Sequence, residues 1–181
     1  IDAVPKAGTV LDVGCGDGLF LALLNQEREA GKRLLVGIDP DPRKIENARR
    51  LEVKAIEFIC AEISSMPSET FDCVSVVDVM YLLPIERWSD FLYHCVRCLK
   101  PHGVLLVKEV HDRPKWKRLI AYLQELFSIY VSRMTQGNHP HFQSVDTYQQ
   151  YIDSAGATVT QVQRLDFGFP HAHVLFAARK R

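Results

Sequence analysis

The sequence has no surplus of charge of either sign. Its 181 residues include 22 Lys and Arg and 22 Asp and Glu, so the formal net charge is +0 at pH 7. Proteins that bind nucleic acid usually carry a basic surplus that meets the phosphate backbone. The short basic runs at 115–118 and 179–181 are typical of solvated surface. We therefore expect no nucleic-acid partner.

Long apolar runs are missing as well. No stretch approaches the roughly 20 apolar residues that a membrane-spanning helix needs, and no signal peptide is visible in the sequence. We therefore expect no membrane span and a cytoplasmic location. Ile1 is not a methionine, from which we expect the natural chain to begin further upstream.

Cysteine is scarce and odd in number, with five in the chain. Three of the five lie inside apolar runs, which indicates reduced, buried thiols and not a disulfide framework. Cys95 and Cys98 form a C-x-x-C in the middle of a predicted helix, but no second ligand pair accompanies them. We therefore expect no metal site.

Apolar residues make up 47% of the chain, which opposes extensive disorder, and the length suits a single domain. Short β-branched runs alternate with longer helical ones, as in a doubly wound α/β sheet with helices on both faces. Strands are predicted over 10–14, 34–39, 55–61, 73–79, 104–110, 158–165 and 174–179, the last two as an antiparallel pair. Helices are predicted over 19–29, 42–51 and 85–99, from Pro114 onward, and between a Ser144 cap and Gly156.

A glycine-rich turn joins the first predicted strand to the first predicted helix, with glycines at Gly14, Gly16 and Gly18. Ligands of open α/β sheets bind beyond the carboxyl ends of the strands, and glycine lets a ligand approach the backbone there. Dinucleotide-binding folds use G-x-G-x-x-G, which this spacing does not match because Leu19 takes the place of the third glycine. Tight packing of strand on helix also accounts for such a turn.

Acidic residues surround this turn. Asp12 and Asp17 flank it, which disfavours a phosphate and suits a cationic or amine-bearing ligand. Asp39, Glu62 and Asp78 lie at the ends of the second, third and fourth predicted strands, where carboxylates can accept hydrogen bonds from ribose hydroxyls or a base amine. Asp39 is alternatively a helix cap, and Glu62 an exposed loop acid. We expect the acids at the four strand ends to line one crevice.

These segments, in this order, resemble the class I S-adenosylmethionine-dependent methyltransferases. The resemblance covers about 10–110 and rests on LDVGCGDG at 11–18, VGIDP at 36–40, CAE at 60–62, FDCVSVVDV at 71–79 and LKPHGVLLV at 99–107. It implies a Rossmann-like, seven-stranded sheet that is mostly parallel with its last strand antiparallel. It also implies S-adenosylmethionine as the cofactor.

The resemblance implies roles for individual residues. Gly14, Gly16 and Asp78 would hold the methionine end of the cofactor, and Asp39 would bind the ribose. Glu62, where the family more often has Asp, would contact the edge of the adenine. The cofactor-binding residues expected in this way are Asp12, Gly14, Gly16, Gly18, Asp39, Pro40, Glu62, Ile63, Asp78 and Val79.

The expected reaction is methyl transfer to a small molecule, at oxygen or carbon. Enzymes that methylate planar amines typically carry Asn/Asp-Pro-Pro-Tyr/Phe after the fourth strand, and the stretch at 78–81 lacks those prolines. A hydroxyl or acidic carbon needs a base to take its proton, and histidine titrates near neutral pH. His111 and His141 are the candidate catalytic residues, and Tyr81 and His139 the candidate substrate contacts.

Two other functions remain open at this point. One is a nicotinamide-dependent oxidoreductase on a Rossmann fold, which the glycine spacing opposes. The other is a non-catalytic domain that binds the cofactor without acceptor chemistry. We predict one domain at 1–181, with a cofactor half at about 1–110, substrate-covering elements at about 111–157 and closing strands at 158–181, which acts as a monomer or homodimer.

Overall fold

The computed structural model describes residues 3–27, 32–112, 141–165 and 172–181. Within these ranges the strands are β1 (Gly8–Val13), β2 (Arg33–Asp39), β3 (Ile56–Cys60), β4 (Phe71–Val77), β5 (Leu99–Val110), β6 (Ala157–Arg164) and β7 (His173–Lys180). The helices there are α1 (Leu19–Asn25), α2 (Pro42–Arg49), α3 (Trp88–Cys98) and α4 (Val145–Ser154), with 3₁₀ helices at Ile63–Ser65, Met80–Leu82 and Ile85–Arg87. The helix predicted from Pro114 onward lies outside the described residues.

The strands form one sheet in the order β3-β2-β1-β4-β5-β7-β6. The first five strands pair in parallel, whereas β7 runs antiparallel to both of its neighbours, β5 and β6. The predicted doubly wound, seven-stranded sheet with its last strand antiparallel is therefore confirmed. The chain builds β2 and β3 on one side of β1 and places β4 on the other. The β1/β4 boundary is thus the point at which the strand order reverses, where such sheets bind ligands.

The strand boundaries lie within two residues of the prediction, except at the start of β5. β4 ends at Val77, because Asp78 has a φ of 57° and therefore leaves the extended conformation. β5 begins at Leu99, which already pairs with Phe71, although the sequence predicts its start at Val104. The pairing register between β4 and β5 shifts between Phe71 and Cys73. β5 therefore includes Pro101 and Gly103, which lie before its predicted start.

Side-chain caps explain where two helices begin. The Asp41 carboxylate accepts a hydrogen bond from the Arg43 amide at 2.9 Å, so Asp41, not Asp39, caps α2. The Ser144 hydroxyl accepts from the Thr147 amide at 3.1 Å, which confirms the predicted cap of α4. The other predicted helices are shorter in the structure: α1 ends at Asn25, and the segment 85–99 becomes α-helical only at Trp88.

Apolar side chains cover both faces of the sheet. On one face α3 and α4 bury large side chains, and the rings of Trp88 and Tyr148 stack at 5.0 Å between centroids. On the other face α1 and α2 bury Leu21, Leu24, Ile45 and Ala48. The helices therefore cover both faces of the central strands, whereas β6 at the edge is mostly exposed, and a ligand has access where the strands end. No helix in the described ranges is long and apolar enough to cross a membrane.

Candidate functional site

The glycine turn (residues 14–18) leaves β1 and is held against the end of β2. The amides of Gly14 and Cys15 both donate to the Ile38 carbonyl, at 2.8 and 2.9 Å. The amide of Gly16 donates to Asp39 Oδ2 at 3.1 Å. Gly14, Gly16 and Gly18 have φ values of 71°, 55° and 79°, a region that other residues rarely adopt. Backbone geometry alone therefore favours glycine at all three positions.

The surroundings distinguish the three glycines. A Cβ added at Gly14 would lie 2.6 Å from a methyl carbon of Val79, and one added at Gly18 would lie 2.5 Å from the ring of Phe58. A Cβ added at Gly16 would meet no atom within 4 Å. Close packing thus accounts for the glycines at 14 and 18. Gly16 instead presents bare backbone to open space, which is what a closely approaching ligand requires.

A cavity of about 310 Å³ opens at the ends of the strands that flank the β1/β4 boundary. This volume lies in the range of small-molecule sites, which are mostly apolar with a few polar groups. Its lining residues are Val13, Gly14, Ile38, Pro40, Ala61, Glu62, Ile63, Ser64, Val79, Leu83, Arg87, Asp90 and Phe91. Five of the expected cofactor residues are among them: Gly14, Pro40, Glu62, Ile63 and Val79.

The start of α3 forms a wall of this cavity that the sequence did not reveal. Arg87, Asp90 and Phe91 lie there, facing the residues that follow β3. They belong to no motif, and only the packing of α3 on the sheet brings them to the cavity. Residues of an ordinary amphipathic helix carry no local signal of such a role.

The sequence predicts that the acids at the four strand ends line one crevice. In the structure only Glu62 of these four lines the cavity, and the others bond to neighbouring parts of the chain. Glu62 lines the cavity, whereas Asp39 is 5% exposed and accepts from two backbone amides, those of Gly16 and Asp41. Asp39 therefore joins the glycine turn to the start of α2. In the chain it directly precedes Pro40, which lines the cavity.

Asp12 is turned away from the cavity and into the sheet. It is 2% exposed, and its Oδ1 accepts from the hydroxyl of Ser75 on β4 at 2.7 Å. Burial raises the pKa of Asp12 to about 7; the Ser75 hydrogen bond opposes this shift and the charge of Asp39 adds to it. The Asp12 carboxylate thus joins β1 to β4, and its expected contact with the cofactor stays a prediction. Gly18 likewise contacts Phe58 and Ala48 of the core.

Asp78 lies beside Lys108 and His173 at the ends of β4, β5 and β7. Its amide donates to the Lys108 carbonyl at 2.8 Å, and its Oδ2 forms an ion pair with the Lys108 ammonium. The His173 Nδ1 lies 3.7 Å from Asp78 Oδ1. The sequence suggested only that a buried acid here needs a partner. The structure identifies that partner as Lys108, one residue after the last apolar position of the fifth motif.

Glu109 is a buried acid that the motifs did not reveal. It is 0% exposed on β5, and its Oε1 accepts from the amides of Val79 and Met80 at 3.0 and 2.8 Å. Burial raises the pKa of Glu109 to about 8, and the nearby charge of Asp78 adds to the shift. Its position inside the apolar run of a predicted strand was a usable signal, because an acid there requires polar partners.

The structure brings Tyr81, His111 and His141 into one neighbourhood. The His141 amide donates to the Tyr81 carbonyl at 2.7 Å, and the Tyr81 ring lies 5.2 Å from that of Phe142. His111 is 3% exposed and pairs with Gln143 through the backbone. His139 lies outside the described residues. In the described ranges, no group of three His, Cys, Asp or Glu side chains is placed to hold a metal ion.

A cavity and a bare glycine turn at the reversal point of the strand order define a ligand-binding domain of the Rossmann-like type. A family model described as a methyltransferase domain matches residues 2–162. The chain belongs to the class I S-adenosylmethionine-dependent methyltransferase family. The expected family and its cofactor are thereby confirmed.

Individual relatives support the same family. A ubiquinone biosynthesis O-methyltransferase of Rhodopseudomonas palustris is 31% identical over 168 residues, which are 87% of this chain and 61% of the relative. A 2-methyl-6-phytyl-1,4-hydroquinone methyltransferase of Synechocystis is 25% identical over 94% of this chain and 52% of the relative. A solved S-adenosylmethionine-dependent methyltransferase of Methanosarcina mazei superposes with a TM-score of 0.77 at 16% identity, covering 99% of this chain and 95% of the other. The chain thus spans 61% and 52% of the two curated relatives.

Proposed function

We propose that this chain transfers the methyl group of S-adenosylmethionine to an oxygen or carbon atom of a small acceptor. The observation that carries the proposal is Gly16, whose backbone faces open space. It belongs to the same turn as Gly14, which lines a cavity of about 310 Å³ at the β1/β4 boundary. By their names, the curated relatives described above are an O-methyltransferase of ubiquinone biosynthesis and a methyltransferase of 2-methyl-6-phytyl-1,4-hydroquinone. An acceptor of the same general kind, a small molecule with a hydroxyl group, is the one we expect.

The residues around the cavity fit the proposed cofactor. S-adenosylmethionine, when bound, supplies an electrophilic methyl group on a sulfonium. Gly14 and Gly16 would hold its methionine end, Pro40 would pack on the adenine, and Glu62 with the Ile63 backbone would contact the adenine edge. Asp39, which positions the amide of the glycine turn, would bind the ribose. Val79 would close the cavity beside the glycines.

The acceptor would lie on the side of β4 and β5, because the cavity extends from β1 towards β3. Tyr81 and His141 are close to each other on that side. We propose that Tyr81 and His139 contact the acceptor and that His141 or His111 takes its proton when the acceptor is a hydroxyl. Alignment of the two reactants and exclusion of water would supply most of the rate enhancement.

The test compares two alanine substitutions at glycines with positive φ. Gly16→Ala adds a methyl group where the free protein has open space, and Gly156→Ala adds one with only ordinary contact, 3.9 Å from Val96. Both carry backbone strain, but only Gly16 belongs to the turn beside the cavity. We expect S-adenosylhomocysteine to bind the wild type and Gly156→Ala alike in isothermal titration. Gly16→Ala should weaken binding by at least about tenfold, or roughly 1.4 kcal/mol.

A folded wild type that binds neither S-adenosylhomocysteine nor S-adenosylmethionine would refute the proposal. A thermal-shift comparison with nicotinamide cofactors would then test the oxidoreductase alternative. Acceptors can be found with deuterated methyl donor and a panel of phenols, enols, carboxylic acids and amines, read by mass spectrometry. Binding without any labelled product would favour the non-catalytic alternative.

We further propose that the protein acts in the cytoplasm on a freely diffusing acceptor, as a monomer or homodimer and without a nucleic-acid partner. The balanced charge of the chain supports the absence of a nucleic-acid partner. Analytical ultracentrifugation with and without S-adenosylhomocysteine would give the oligomeric state. A shift on addition of duplex DNA or RNA at low salt would contradict the absence of a nucleic-acid partner.

A further inference from the structure

Glu109 lies outside the cavity but contacts the segment that forms one of its walls. That segment, residues 79–81, begins the 3₁₀ helix Met80–Leu82, whose N-cap residue Val79 makes no side-chain capping bond. The first amides of a helix have no partner within it. Glu109 reaches across from β5, and its Oε1 accepts from the amides of Val79 and Met80. Glu109, on the strand β5, thus caps the start of this 3₁₀ helix in place of a side chain near in sequence.

The segment 79–81 contacts both sides of the site. At its beginning, Val79 lines the cavity and lies where a side chain at Gly14 would be. At its end, the Tyr81 carbonyl accepts from the His141 amide, and the Tyr81 ring contacts Phe142. A small displacement of this segment would therefore change the cavity wall and the acceptor side together.

Glu109 is an acid in a buried position, and polar contacts must offset the cost of burying it. The side chain is fully buried, and Oε2 makes no hydrogen bond within the described residues. Among the residues that the structure describes, the charged and titratable groups that face it are Asp78, after β4, and Tyr148, on α4. Burying an acid beside another acid is costly. The bonds to the segment 79–81 are the contacts of Glu109 that offset this cost.

We propose that Glu109 is a positioning residue for methyl transfer, which holds the backbone of residues 79–81 and thereby sets the cavity wall at Val79 and the acceptor side at Tyr81. The inference rests on the proposed function, since it assigns the cavity to the cofactor. Glu109 itself touches neither the cavity nor the reacting atoms, and it acts through the segment it holds.

The test measures ligand affinity and local opening in three variants. Glu109→Ala removes the acceptor of the two amides, and Glu109→Gln keeps an oxygen at the same reach. Ile152→Ala weakens the same apolar core from α4 but leaves the two amides with their acceptor. Affinity for S-adenosylhomocysteine is measured by titration, amide hydrogen exchange at Val79 and Met80 by NMR, and stability by urea unfolding. Glu109→Asp, with its shorter side chain, replaces Glu109→Ala should the latter fail to fold.

We expect Glu109→Ala to raise the Kd for S-adenosylhomocysteine about tenfold and to accelerate exchange at the two amides. Glu109→Gln should stay within about threefold of the wild type in both, and Ile152→Ala should lose stability without a comparable change in Kd. The proposal is overturned if Glu109→Ala keeps wild-type exchange, or if Ile152→Ala weakens binding as much. A wild type that does not bind S-adenosylhomocysteine refutes the proposed function instead, and the exchange rates still decide whether Glu109 holds the segment.

Discussion

Along the edge where the strands end, polar groups on one side face open space, whereas those on the other side bond to other protein groups. On the cavity side, formed by the ends of β1, β2 and β3, the Gly16 backbone and the Glu62 side chain face open space. On the charged side, formed by the ends of β4, β5 and β7, Asp78 pairs with Lys108 and Glu109 binds backbone amides. Polar groups that face open space are available to bind a ligand. Polar groups that pair with other protein groups fix the position of the backbone and side chains around them.

This difference separates residues that bind from residues that position. A substitution at Gly16 or Glu62 should change ligand affinity more than stability, because both positions face open space. A substitution among paired groups or close-packed residues should change stability first. Predictions that contrast the two effects can confirm or break this distinction.

The largest effect is expected from Gly18→Ala. The new Cβ would lie 2.5 Å from the Phe58 ring and 3.1 Å from Ala48, at a φ of 79°. Overpacking and left-handed strain together should lower the free energy of unfolding by about 2–4 kcal/mol in urea denaturation. The affinity of the folded fraction for S-adenosylhomocysteine should change little, in contrast to Gly16→Ala. A variant with wild-type stability would show that the glycine turn can shift away from β3.

The pH dependence of stability comes next, and its sign follows from two buried acids. Burial raises the pKa of Glu109 from 4.5 to about 8 and that of Asp12 from 3.8 to about 7. The folded state therefore holds protons that the unfolded state releases. The resulting stability is complete below about pH 4 and is lost as the pH rises through 7 and 8.

We expect the free energy of unfolding to fall by on the order of 2 kcal/mol between pH 7 and pH 8.5, most of it from Glu109, since each pH unit over which one such group stays protonated only in the folded state is worth about 1.4 kcal/mol. Urea titrations across that range measure it. Glu109→Gln and Asp12→Asn should each flatten the curve, because neither new side chain titrates. A curve that rises over this range would mean that these acids are ionised in the folded protein.

A smaller effect is expected from Lys108→Met, which leaves Asp78 without its cation. The two side chains are 23% and 32% exposed, so solvent screens part of their attraction. We expect a loss of about 1 kcal/mol, most of it absent when Asp78→Asn is already present. A double-mutant cycle in urea isolates that coupling. Additive losses would show that the pair contributes nothing, and the charged side would then need another explanation.

The smallest effect is expected from Ser144→Ala, which removes the cap of α4. The lost hydrogen bond to the Thr147 amide should lower stability by about 0.5–1 kcal/mol, measured by thermal or urea unfolding. The Kd for S-adenosylhomocysteine should not change, because α4 is not among the cavity-lining elements. If Ser144→Ala bound S-adenosylhomocysteine more weakly, α4 would contribute to ligand binding, which would contradict the distinction between binding and positioning residues.

Local patterns in the sequence were enough to place most of the fold. Alternation of strand and helix periods predicted the doubly wound sheet, and Ser144 predicted a helix start, because these depend on near neighbours in the chain. The glycine turn and the positions of Pro40, Glu62 and Ile63 at the cavity also followed, since parallel strands bring their carboxyl ends to one edge. The end of β4 was misplaced because nothing local indicates the positive φ of Asp78.

The sequence by itself determined that acids stand at the ends of four strands beside a glycine turn, and it thereby determined the family. Only the tertiary structure decided which acids line the cavity and which bond to other parts of the chain. Asp12 bonds to Ser75 on β4, Asp78 pairs with Lys108 on β5, and Glu109 holds the start of a 3₁₀ helix. The physical reason is that each of these partners belongs to another element of the fold and is distant in sequence. The orientation of a side chain at a strand end depends on those neighbours and not on the motif that contains it.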